Sequence, residues 1–474
     1  MPERLNVDIC VIGGGSAGLS VAAGASQLGV TVALVEKGRM GGDCLNYGCV
    51  PSKALLAAGR ARHAIDTSGR FGIQAGPAQV DMQQVHDHVH GVIAGIAPHD
   101  SVERFEGLGV RVVQAAARFL NARELQAGDL VIGARRFVIA TGSSPLVPPI
   151  PGLDHVPYLT NESIFDLNRP IPHLLVVGGG PIGLEMAQAH ARLGARVTVL
   201  EMARAMPKDD PELAAIVLKR LRGEGIEIHE NTRVTGVEAG PDGPVVKAEN
   251  EAGEQRFQGS DLLLAVGRRA NVDDLNLDAA GVAYGNRGIE VDARLRTSNR
   301  RIYAIGDVAG GLQFTHVAGY HAGIVIRNAL FRLPARTDDR AIPWVTYTDP
   351  ELAHVGMTEA QAREAAGAIN VLRWPFTEND RARAERDVDG FVKVVTDGKG
   401  RILGASIVGT HAGELIQPWI LAIANKMKIG KLAGIVAPYP TLGEVNKRAA
   451  SSYFVPKLFS ERTKKLVRLL TKLG

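Results

Sequence analysis

The stretch DICVIGGGSAGLSVAAGASQLGVTVALVE, residues Asp8–Glu36, decides the fold. It opens on a short apolar run, of the kind that a parallel sheet buries on both faces. The pattern Gly13-x-Gly15-x-x-Gly18 follows and predicts a tight turn into a helix whose N-terminus can bind a pyrophosphate. Glu36 ends the next predicted strand, where a carboxylate can accept hydrogen bonds from ribose hydroxyls. The stretch therefore predicts a dinucleotide-binding βαβ unit.

The same unit occurs a second time. The stretch HLLVVGGGPIGLEMAQAHARLGARVTVLE, His173–Glu201, repeats the pattern and brings three glycines and the acidic residue into register: Gly178, Gly180, Gly183 and Glu201. One such motif in a chain with 55 glycines is weak evidence, since the ordinary alternative is a simple turn. Recurrence in register makes that alternative a poor explanation for both copies. Two dinucleotides are most simply a flavin and a nicotinamide dinucleotide.

The nicotinamide coenzyme is predicted from Glu201. A carboxylate at this position accepts from a ribose 2′-hydroxyl and repels a 2′-phosphate, so we expect NAD(H) to be preferred over NADP(H). Arg204 lies three residues further on and leaves NADPH open.

Composition narrows the class of protein. A chain of 474 residues predicts several domains, and 45% hydrophobic with 22% charged residues is typical of globular proteins. The net charge of +4 is small for this length and argues against nucleic acid as a partner. The first apolar run does not read as a signal peptide, and no apolar run is long enough to cross a bilayer, so we expect a cytoplasmic protein.

Further strands follow the two units. RFVIATGSSP (Arg136–Pro145) and DLLLAVGRRAN (Asp261–Asn271) are predicted strands that end in a glycine turn. RIYAIGDVAG (Arg301–Gly310) places Asp307 at the end of a strand, where ligands of open α/β sheets bind. After about Pro343, alternating apolar residues in FVKVVTD and ILGASIVG predict an antiparallel sheet, with a helix over GELIQPWILAIANKM.

Two of the three cysteines lie close together in GGDCLNYGCVPSKALL, Gly41–Leu56. A spacing of five does not bring Cys44 and Cys49 together on a regular helix, so a bond between them requires an irregular turn. We expect Cys49 to precede a helix N-terminus, where the dipole and Lys53 would stabilise a thiolate. Two buried structural thiols are the commoner alternative, but they match this glycine-rich, lysine-bearing turn poorly. A second Cys/His pair at ligand spacing is missing, so no metal site is predicted.

GGDCLNYGCVPSK resembles the redox-disulfide motif of the flavoprotein pyridine nucleotide-disulfide oxidoreductases. The motifs are most similar to those of mercuric reductases and dihydrolipoamide dehydrogenases, and the resemblance covers nearly the whole chain. It implies an α/β fold of two Rossmann-like domains, for FAD and NAD(P), followed by a C-terminal α+β dimerisation domain. The expected boundaries are 1–148 with 273–342 for FAD, 149–272 for NAD(P), and 343–474 for dimerisation.

The resemblance also implies roles for individual residues. Cys49 would lie against the flavin as the charge-transfer thiolate, and Cys44 would be the interchange thiol that meets the substrate. Lys53 would lie by the flavin and pair with Glu185, because a buried lysine needs a carboxylate partner. Glu36 would bind the FAD ribose, and Asp307 the ribityl chain. The other implied cofactor-binding residues are Gly13, Gly15, Ser16, Gly18, Lys37, Gly42, Thr141, Gly142, Ser143, Gln313 and Thr315, and, in the second unit, Gly178, Gly180, Gly183, Glu201 and Gly267.

The sequence departs from the thiol-reducing members of the family at Tyr439. Those members carry a histidine there as the acid/base, supplied across a homodimer with shared active sites, whereas APYPTLGEVNKRAA retains only Glu444. A tyrosine with a pKa of about 10 is a poor base at neutral pH. Mercuric reductases also carry a tyrosine here, so the predicted small acceptor includes a thiol-bound metal ion such as Hg(II). Against mercury, no cysteine follows Cys49. The alternatives are dihydrolipoamide dehydrogenase and a redox-sensing, flavin-binding interaction protein.

Two other stretches have competing interpretations. HDHVH, His86–His90, suggests metal binding, but an exposed polar helix face is the favoured interpretation. Residues 457–474 form a basic amphipathic stretch, with Leu466, Leu469, Leu470 and Leu473 on one side. Packing on the dimer is the favoured interpretation of these leucines, and contact with an anionic membrane surface is the alternative.

Overall fold

The computed structural model describes residues 3–473. Its contacts divide the chain into two compact units. The first unit runs to Met202 and also includes His229–Thr337. The second unit consists of Ala203–Ile228 and the chain from Asp338 onwards.

The N-terminal part of the first unit is built on a mainly parallel sheet. Its strands and helices are β1 (Glu3–Ile12), α1 (Ser16–Gln27), β2 (Val32–Glu36), α2 (Gly42–Asn46), α3 (Cys49–Asp66), α4 (Met82–Ile96), α5 (Val102–Gly107), β3 (Val110–Gln114), β4 (Ala117–Asn121), β5 (Glu124–Ala127), β6 (Leu130–Ile139) and β7 (Ser143–Pro145). The sheet order is β3-β2-β1-β6-β5-β4. Strands β3, β2, β1 and β6 run parallel, and β5 and β4 are antiparallel additions at the edge.

Strand β1 is central because both of its faces are apolar. Ile9 and Val11 pack into one hydrophobic cluster with residues of α1, including Leu19. Cys10 and Ile12 point the opposite way, into a second cluster. Strands covered on both faces read as continuous apolar runs, which is the pattern that the opening stretch shows.

The repeated unit has the same local arrangement. Its elements are β8 (His173–Val177), α6 (Pro181–Arg192), β9 (Arg196–Leu200), α7 (Pro211–Gly223), β10 (Glu227–His229), β11 (Arg233–Gly240), β12 (Gly243–Asn250), β13 (Gly253–Gln258), β14 (Asp261–Leu264) and β15 (Arg268–Ala270). Strands β9, β8 and β14 are parallel neighbours. Strands β11, β12 and β13 form an antiparallel sheet, and β15 pairs with β7.

The chain then returns to the first sheet. It passes through β16 (Tyr284–Gly285), β17 (Gly288–Ile289), β18 (Ile302–Ala304) and α8 (Thr315–Ala329). Strand β18 adds to the sheet parallel to β6. This return explains why Asp307 lies beside the first glycine turn although nearly 300 residues separate them in sequence.

The second unit contains α7 and all elements that follow α8. These are β19 (Pro343–Thr346), β20 (Glu351–Gly356), α9 (Glu359–Ala366), β21 (Ile369–Pro375), α10 (Asp380–Ala384), β22 (Phe391–Asp397), β23 (Ile402–Gly409), α11 (Ala412–Leu415), α12 (Gln417–Ala424), α13 (Ile429–Ala433), α14 (Glu444–Ser452), α15 (Val455–Leu458) and α16 (Glu461–Leu470). Its five strands are antiparallel in the order β19-β20-β23-β22-β21. The helix predicted over GELIQPWILAIANKM is instead two helices, α11 and α12, because Pro418 lies in the first turn of a new helix.

A buried cation ties α7 to this second sheet. The Nζ atom of Lys393 on β22 lies 2.7 Å from Asp210, 3.0 Å from Glu212 and 2.7 Å from Glu359. Only 5% of the Lys393 side chain is exposed, so these carboxylates replace the water that the ammonium group loses. The network explains why α7 belongs to the second unit although it follows the repeated dinucleotide unit in sequence.

The two glycine turns are alike in atomic detail. Gly13 and Gly178 have φ angles of +109° and +115°, and a Cβ on either would meet a carbonyl oxygen of the neighbouring strand's end at 2.3 and 2.4 Å. A Cβ on Gly18 or Gly183 would lie 1.9 or 2.0 Å from the carbonyl oxygen of Gly13 or Gly178. The third glycine of each motif is therefore required for the helix to pack against the turn.

Among residues 3–473, every helix falls short of the length or the hydropathy that a bilayer crossing requires.

We predict opposite effects of alanine at two helical glycines. Gly183→Ala places a methyl group against the Gly178 carbonyl and is expected to lower the free energy of unfolding by about 1–3 kcal/mol. Gly91→Ala, in α4, meets nothing within 4 Å and is expected to raise it by about 0.5–1 kcal/mol. Thermal or denaturant unfolding of the two variants measures both changes. A neutral Gly183→Ala would contradict the proposed packing of α6 on its turn.

Candidate active site

Four loops meet at one edge of the first parallel sheet. Strands β1, β2, β6 and β18 run parallel, so their carboxyl ends lie at the same edge. The residues that follow these ends are Gly13, Lys37, Thr141 and Asp307, all of which the sequence predicts as cofactor-binding. Parallel strand order thus assembles side chains that are far apart in sequence, at the edge where α/β folds bind ligands.

In each of the two dinucleotide-binding units, the glutamate at the end of the second strand contacts the glycine turn of the same unit. Glu36 Oε2 accepts from the backbone N–H of Gly14 at 2.5 Å, and Oε1 accepts from Gly38 at 2.6 Å. In the repeat, Glu201 Oε2 accepts from the N–H of Gly179 at 2.6 Å. Both carboxylates are therefore held beside the turn that is predicted to bind a pyrophosphate.

The cysteine-bearing loop packs directly on the first glycine turn. The N–H of Gly41 donates to the carbonyl oxygen of Gly14 at 2.9 Å. A Cβ on Gly42 would lie 2.7 Å from the Cα atom of Gly15, so the two backbones touch. Gly41 and Gly42 both have positive φ angles, which gives the irregular turn that the cysteine spacing requires.

The turn brings the two cysteines together at the start of a helix. Cys44 lies in α2. The sequence predicted Cys49 just before a helix, and in the structure Cys49 is the first residue of that helix, α3. Both are free thiols in this structure, which corresponds to the reduced form of the pair. Cys49 is exposed and Cys44 is half-buried in the protein alone.

The surroundings stabilise a thiolate on Cys49. A hydrogen bond from the Cys44 thiol is the main cause that lowers the pKa of Cys49 to about 6, with Thr315 and the charge of Lys53 adding to it. The Thr315 Oγ1 atom lies 3.6 Å from the Cys49 sulfur. The same hydrogen bond to Cys49, together with burial, raises the pKa of Cys44. The two thiols therefore differ, and Cys49 is the one that ionises first.

Lys53 forms the ion pair that the sequence predicted. Its Nζ atom lies 2.8 Å from Glu185 Oε2, which joins α3 to α6. The Glu185 side chain is only 6% exposed, so the carboxylate depends on this cation for its charge to be tolerated. The pair places a positive group one helical turn after Cys49.

Asp307 and Ser143 are joined at the same edge. Ser143 Oγ donates to Asp307 Oδ2 at 2.6 Å, and burial raises the pKa of the Asp307 carboxyl. Thr141 Oγ1 donates to the carbonyl oxygen of Asn271 at 2.7 Å, and the N–H of Asn271 donates to the Gly142 carbonyl oxygen at 3.0 Å. These bonds fix the loop after β6.

The remaining residues predicted to bind cofactors lie at helix starts, in loops or at the surface. Gly15 and Gly180 precede the first residues of α1 and α6, and Ser16 begins α1. Gln313 is half-buried just before α8, Lys37 is exposed, and the carbonyl oxygen of Gly267 accepts from the N–H of Leu146 at 2.9 Å.

The structure adds three polar residues that the sequence analysis did not predict. Asp43 Oδ1 accepts from Asn161 Nδ2 at 3.0 Å and lies 3.0 Å from Arg268 Nη2. Arg268 also donates from Nε to Ser143 Oγ at 2.8 Å, so it links the cysteine helix α2 to the Asp307 loop. Two of these residues could have been identified from their positions in the sequence, since Asp43 lies inside the cysteine motif and Arg268 follows Gly267. Asn161 has no such signal.

Tyr439 and Glu444 lie in the second unit. The Tyr439 hydroxyl donates to Asp380 Oδ2 at 2.9 Å, and this bond raises the pKa of Tyr439. The tyrosine is 69% exposed, and Glu444 is held by Arg448 at 2.8 Å. The phenol therefore stays protonated at neutral pH. That these two residues face Cys44 of another subunit stays a prediction.

The histidine pair on α4 is engaged within the protein. The ring centroids of His86 and His90 lie 4.1 Å apart. His86 Nδ1 lies 3.2 Å from Asp87 Oδ1, and His90 Nε2 lies 3.2 Å from the Phe165 carbonyl oxygen. Across residues 3–473, no group of three or more His, Cys, Asp or Glu side chains is placed to hold a metal ion.

The Cys49 environment predicts a pH dependence of its reactivity. Because the pKa of Cys49 is about 6, the alkylation rate of the reduced, FAD-free protein by iodoacetamide should rise through pH 6 and level off above it. Cys44→Ala removes the main stabilising hydrogen bond, so its midpoint should move towards about 8.5. Mass spectrometry of the Cys49 peptide measures both profiles, with Cys10→Ser as the matched control, since Cys10 is buried in the core. An unchanged midpoint in Cys44→Ala would show that another group stabilises the thiolate.

Comparison with known proteins agrees with this geometry. The model of the pyridine nucleotide-disulphide oxidoreductase family matches residues 7–322, and that of its dimerisation domain matches residues 342–450. Among curated relatives, the mercuric reductase of Streptomyces lividans is 37% identical over 94% of this chain and 96% of its own length. The dihydrolipoyl dehydrogenase of Bacillus subtilis is 35% identical over the same two shares.

Solved structures of the same architecture match along nearly the whole chain. The Cu(II) complex of the HOCl-induced flavoprotein disulfide reductase RclA from Escherichia coli has a TM-score of 0.84 at 29% identity, covering 94% of this chain and 99% of that one. LpdA from Mycobacterium tuberculosis has a TM-score of 0.86 at 26% identity, covering 95% and 99%. The predicted fold class, with its FAD-binding and C-terminal dimerisation domains, is confirmed. The chain belongs to the pyridine nucleotide-disulphide oxidoreductases, a family of flavoprotein disulfide reductases.

Proposed function

We propose that this oxidoreductase passes electrons from NADH through FAD to the Cys44–Cys49 pair, and from there to a small acceptor such as thiol-bound Hg(II). The observation that carries the proposal is the stabilised Cys49 thiolate, hydrogen-bonded by Cys44 and close to the Lys53–Glu185 ion pair. A structural cysteine pair would need neither an exposed thiol nor a lowered pKa.

The residues at the sheet edge fit FAD. Gly13 admits no Cβ, and Gly15 has no side chain to cap α1, so the first-turn N–H groups of α1 are suited to a pyrophosphate. Glu36 is placed for a ribose, Asp307 and Ser143 for the hydroxyls of the ribityl chain, and Lys53 for the flavin ring. When bound, FAD accepts two electrons from the nicotinamide and delivers them to a disulfide.

The repeat would bind the nicotinamide coenzyme, and NADH is the coenzyme that its residues favour. Glu201 is held at the turn by the Gly179 N–H, where its charge opposes a 2′-phosphate. Arg204 Nη2 is directed to backbone carbonyl oxygens of Met206, Pro207 and Asp209, at 3.4, 3.2 and 3.1 Å. An arginine engaged in this way supports NADH over NADPH.

The two cysteines have different tasks in the proposed reaction. Two electrons from the coenzyme and one proton convert the Cys44–Cys49 disulfide into the Cys49 thiolate and the Cys44 thiol. Cys49 keeps the thiolate, which Lys53 and Thr315 stabilise, and Cys44 is left as the thiol that meets the acceptor. When the pair is oxidised again, its two electrons pass to the acceptor, and with Hg(II) this yields elemental mercury, the disulfide and the proton that Cys44 releases.

Tyr439 is the basis for preferring a soft metal ion over a dithiol. Dithiol exchange needs a base that takes a proton from the substrate thiol, but Tyr439 is held as a phenol by Asp380. A thiol-bound metal ion needs thiolate ligands and electrons rather than a base. The similarity to mercuric reductases, one of them at 37% identity, supports the same preference.

The assembly that we propose is a homodimer with shared active sites. The dimerisation domain at residues 342–450 supports dimer formation. In this arrangement, Tyr439 and Glu444 from one protomer complete the Cys44 site of the other. Within each protomer we keep the predicted domains: 1–148 with 273–342 for FAD, 149–272 for NAD(P), and 343–474 for dimerisation. The cytoplasm is the proposed compartment, since a reactive dithiol is kept reduced there.

Two other functions remain as alternatives. Dihydrolipoamide dehydrogenase is supported by relatives of 35–37% identity and opposed by the protonated Tyr439. A redox-sensing protein would use the same thiol pair without turnover. High steady-state NADH oxidation with any small acceptor would argue against that sensor role.

We predict that Hg(II) reduction depends on Cys44. Wild-type protein should catalyse NADH-dependent conversion of thiol-bound Hg(II) to volatile mercury, and Cys44→Ala should lower the rate at least tenfold because the disulfide cannot form. NADPH should support a lower kcat/KM than NADH. Anaerobic spectra are the control: a long-wavelength thiolate–flavin band should appear in wild type and be lost in Cys49→Ser. Equal mercury loss in wild type and Cys44→Ala would refute the proposed acceptor, and lipoamide, glutathione disulfide and quinones would then be compared.

We predict that restoring a base at position 439 creates lipoamide reductase activity. Tyr439→His should raise the kcat for NADH-dependent lipoamide reduction by about 10²-fold or more, which is typical of a positioned general base. Tyr439→Phe is the matched control and should stay as slow as wild type. Fast lipoamide reduction by wild type would instead favour the dihydrolipoamide dehydrogenase alternative.

A further inference from the structure

The α15–α16 segment, residues 454–473, leaves an unusual number of apolar side chains exposed. Nine of them are between 39% and 77% exposed: Phe454, Val455, Leu458, Phe459, Leu466, Val467, Leu469, Leu470 and Leu473. Within the described chain, neither α15 nor α16 buries a residue. Exposed apolar side chains in such a cluster mark a surface that binds something.

Helix α16 has the features of a helix that forms on a surface. Ser460 caps it by accepting from the N–H of Thr463 at 3.3 Å, and Glu461 and Arg468 lie at the ends that suit the helix dipole. A ten-residue helix is marginal in water when nothing packs against it. Its stability therefore depends on covering the apolar side.

The leucines and most of the cations of α16 lie on different sides of the helix. At 100° per residue, Leu466, Leu469, Leu470 and Leu473 share one side, on which Arg462 is the single cation. Four cations, Lys464, Lys465, Arg468 and Lys472, share the other side with Glu461, which pairs with Lys464 at 2.8 Å. This is the pattern of helices that lie in the plane of a lipid interface, with leucines in the acyl region and cations at the phosphates.

The positive net charge of the segment favours an anionic surface as its binding partner. Residues 457–473 carry six Lys or Arg and one acidic residue, Glu461, an excess that is larger than the net charge of +4 of the whole chain. The remainder of the chain is thus close to neutral, with a net charge of −1. An anionic phospholipid surface supplies the matching charge, at about 1 kcal/mol for each cation near the surface.

The segment follows the residues that match the family's dimerisation domain. The match to the family's dimerisation domain ends at residue 450, and α16 begins eleven residues later. Sequence alone favoured packing on the dimer. Nine exposed apolar side chains beyond residue 450, together with the excess of cations in residues 457–473, favour lipid instead.

We propose that α16 docks this flavoenzyme on an anionic phospholipid surface. The helix is about 15 Å long, so it lies along the surface rather than across it. The leucine side inserts among the acyl chains, Phe459 and Leu458 extend that contact, and the lysines bind headgroup phosphates.

Vesicle flotation of the FAD-loaded full-length protein tests the proposal. Vesicles of phosphatidylcholine with about one-third phosphatidylglycerol should carry the protein upward, pure phosphatidylcholine should carry much less, and about 0.5 M NaCl should release it. The triple variant Lys464→Gln/Lys465→Gln/Arg468→Gln should lower the partition coefficient between vesicles and buffer by about 100-fold. Leu466→Ser/Leu469→Ser/Leu470→Ser should also abolish flotation.

Two controls separate docking from misfolding and from self-association. Arg118→Gln/Arg123→Gln/Arg300→Gln removes three exposed charges elsewhere and should float as wild type does. Each variant should retain bound FAD and NADH oxidation in solution, and each should remain the same oligomer by light scattering. The proposal is wrong if wild type fails to float with anionic vesicles, or if the leucine variant dissociates into monomers, which would assign α16 to a second copy of the chain.

Discussion

The contact between two backbones, Gly14–Gly15 and Gly41–Gly42, is the constraint on which the site depends. One backbone belongs to the turn that follows β1, and the other begins the loop that carries the cysteines. Their separation admits no side chain, so a methyl group at Gly42 would push the redox pair away from the cofactor turn. Because the glycines allow this approach, one sheet edge can serve both nucleotide binding and disulfide chemistry.

The sequence predicted those features that depend on local patterns. The repeated G-x-G-x-x-G units, the strand that delivers Asp307 and the antiparallel sheet after Pro343 all follow from apolar periodicity and glycine positions, and the structure contains them. For such features, type and spacing of residues carry the information. The Lys53–Glu185 pair, by contrast, was predicted from the resemblance to the family, and the structure contains it.

Features that depend on distant packing were not predictable. The bonds of Asp43 to Asn161 and Arg268 join three separate segments, and nothing local in the sequence links them. The carboxylates around Lys393 come from α7 and α9, which the chain order places far from β22. The prediction of a single helix across α11 and α12 was wrong. Apolar periodicity continues through the break between them, and only Pro418 marks the start of the second helix. Asp380, the partner of Tyr439, lies 59 residues away in sequence.

The tethering of α2 has a consequence for how the disulfide opens and closes. This five-residue helix is held at Asp43 by Arg268 and Asn161, while Asn46 Nδ2 donates to the carbonyl oxygens of Met40 and Gly42 at 3.1 and 2.9 Å. Cys44 thus sits between two fixed points, and the change between thiol and disulfide is left to side-chain torsions. In the proposed reaction, closing the disulfide would then require rotation of the cysteine side chains rather than movement of α2.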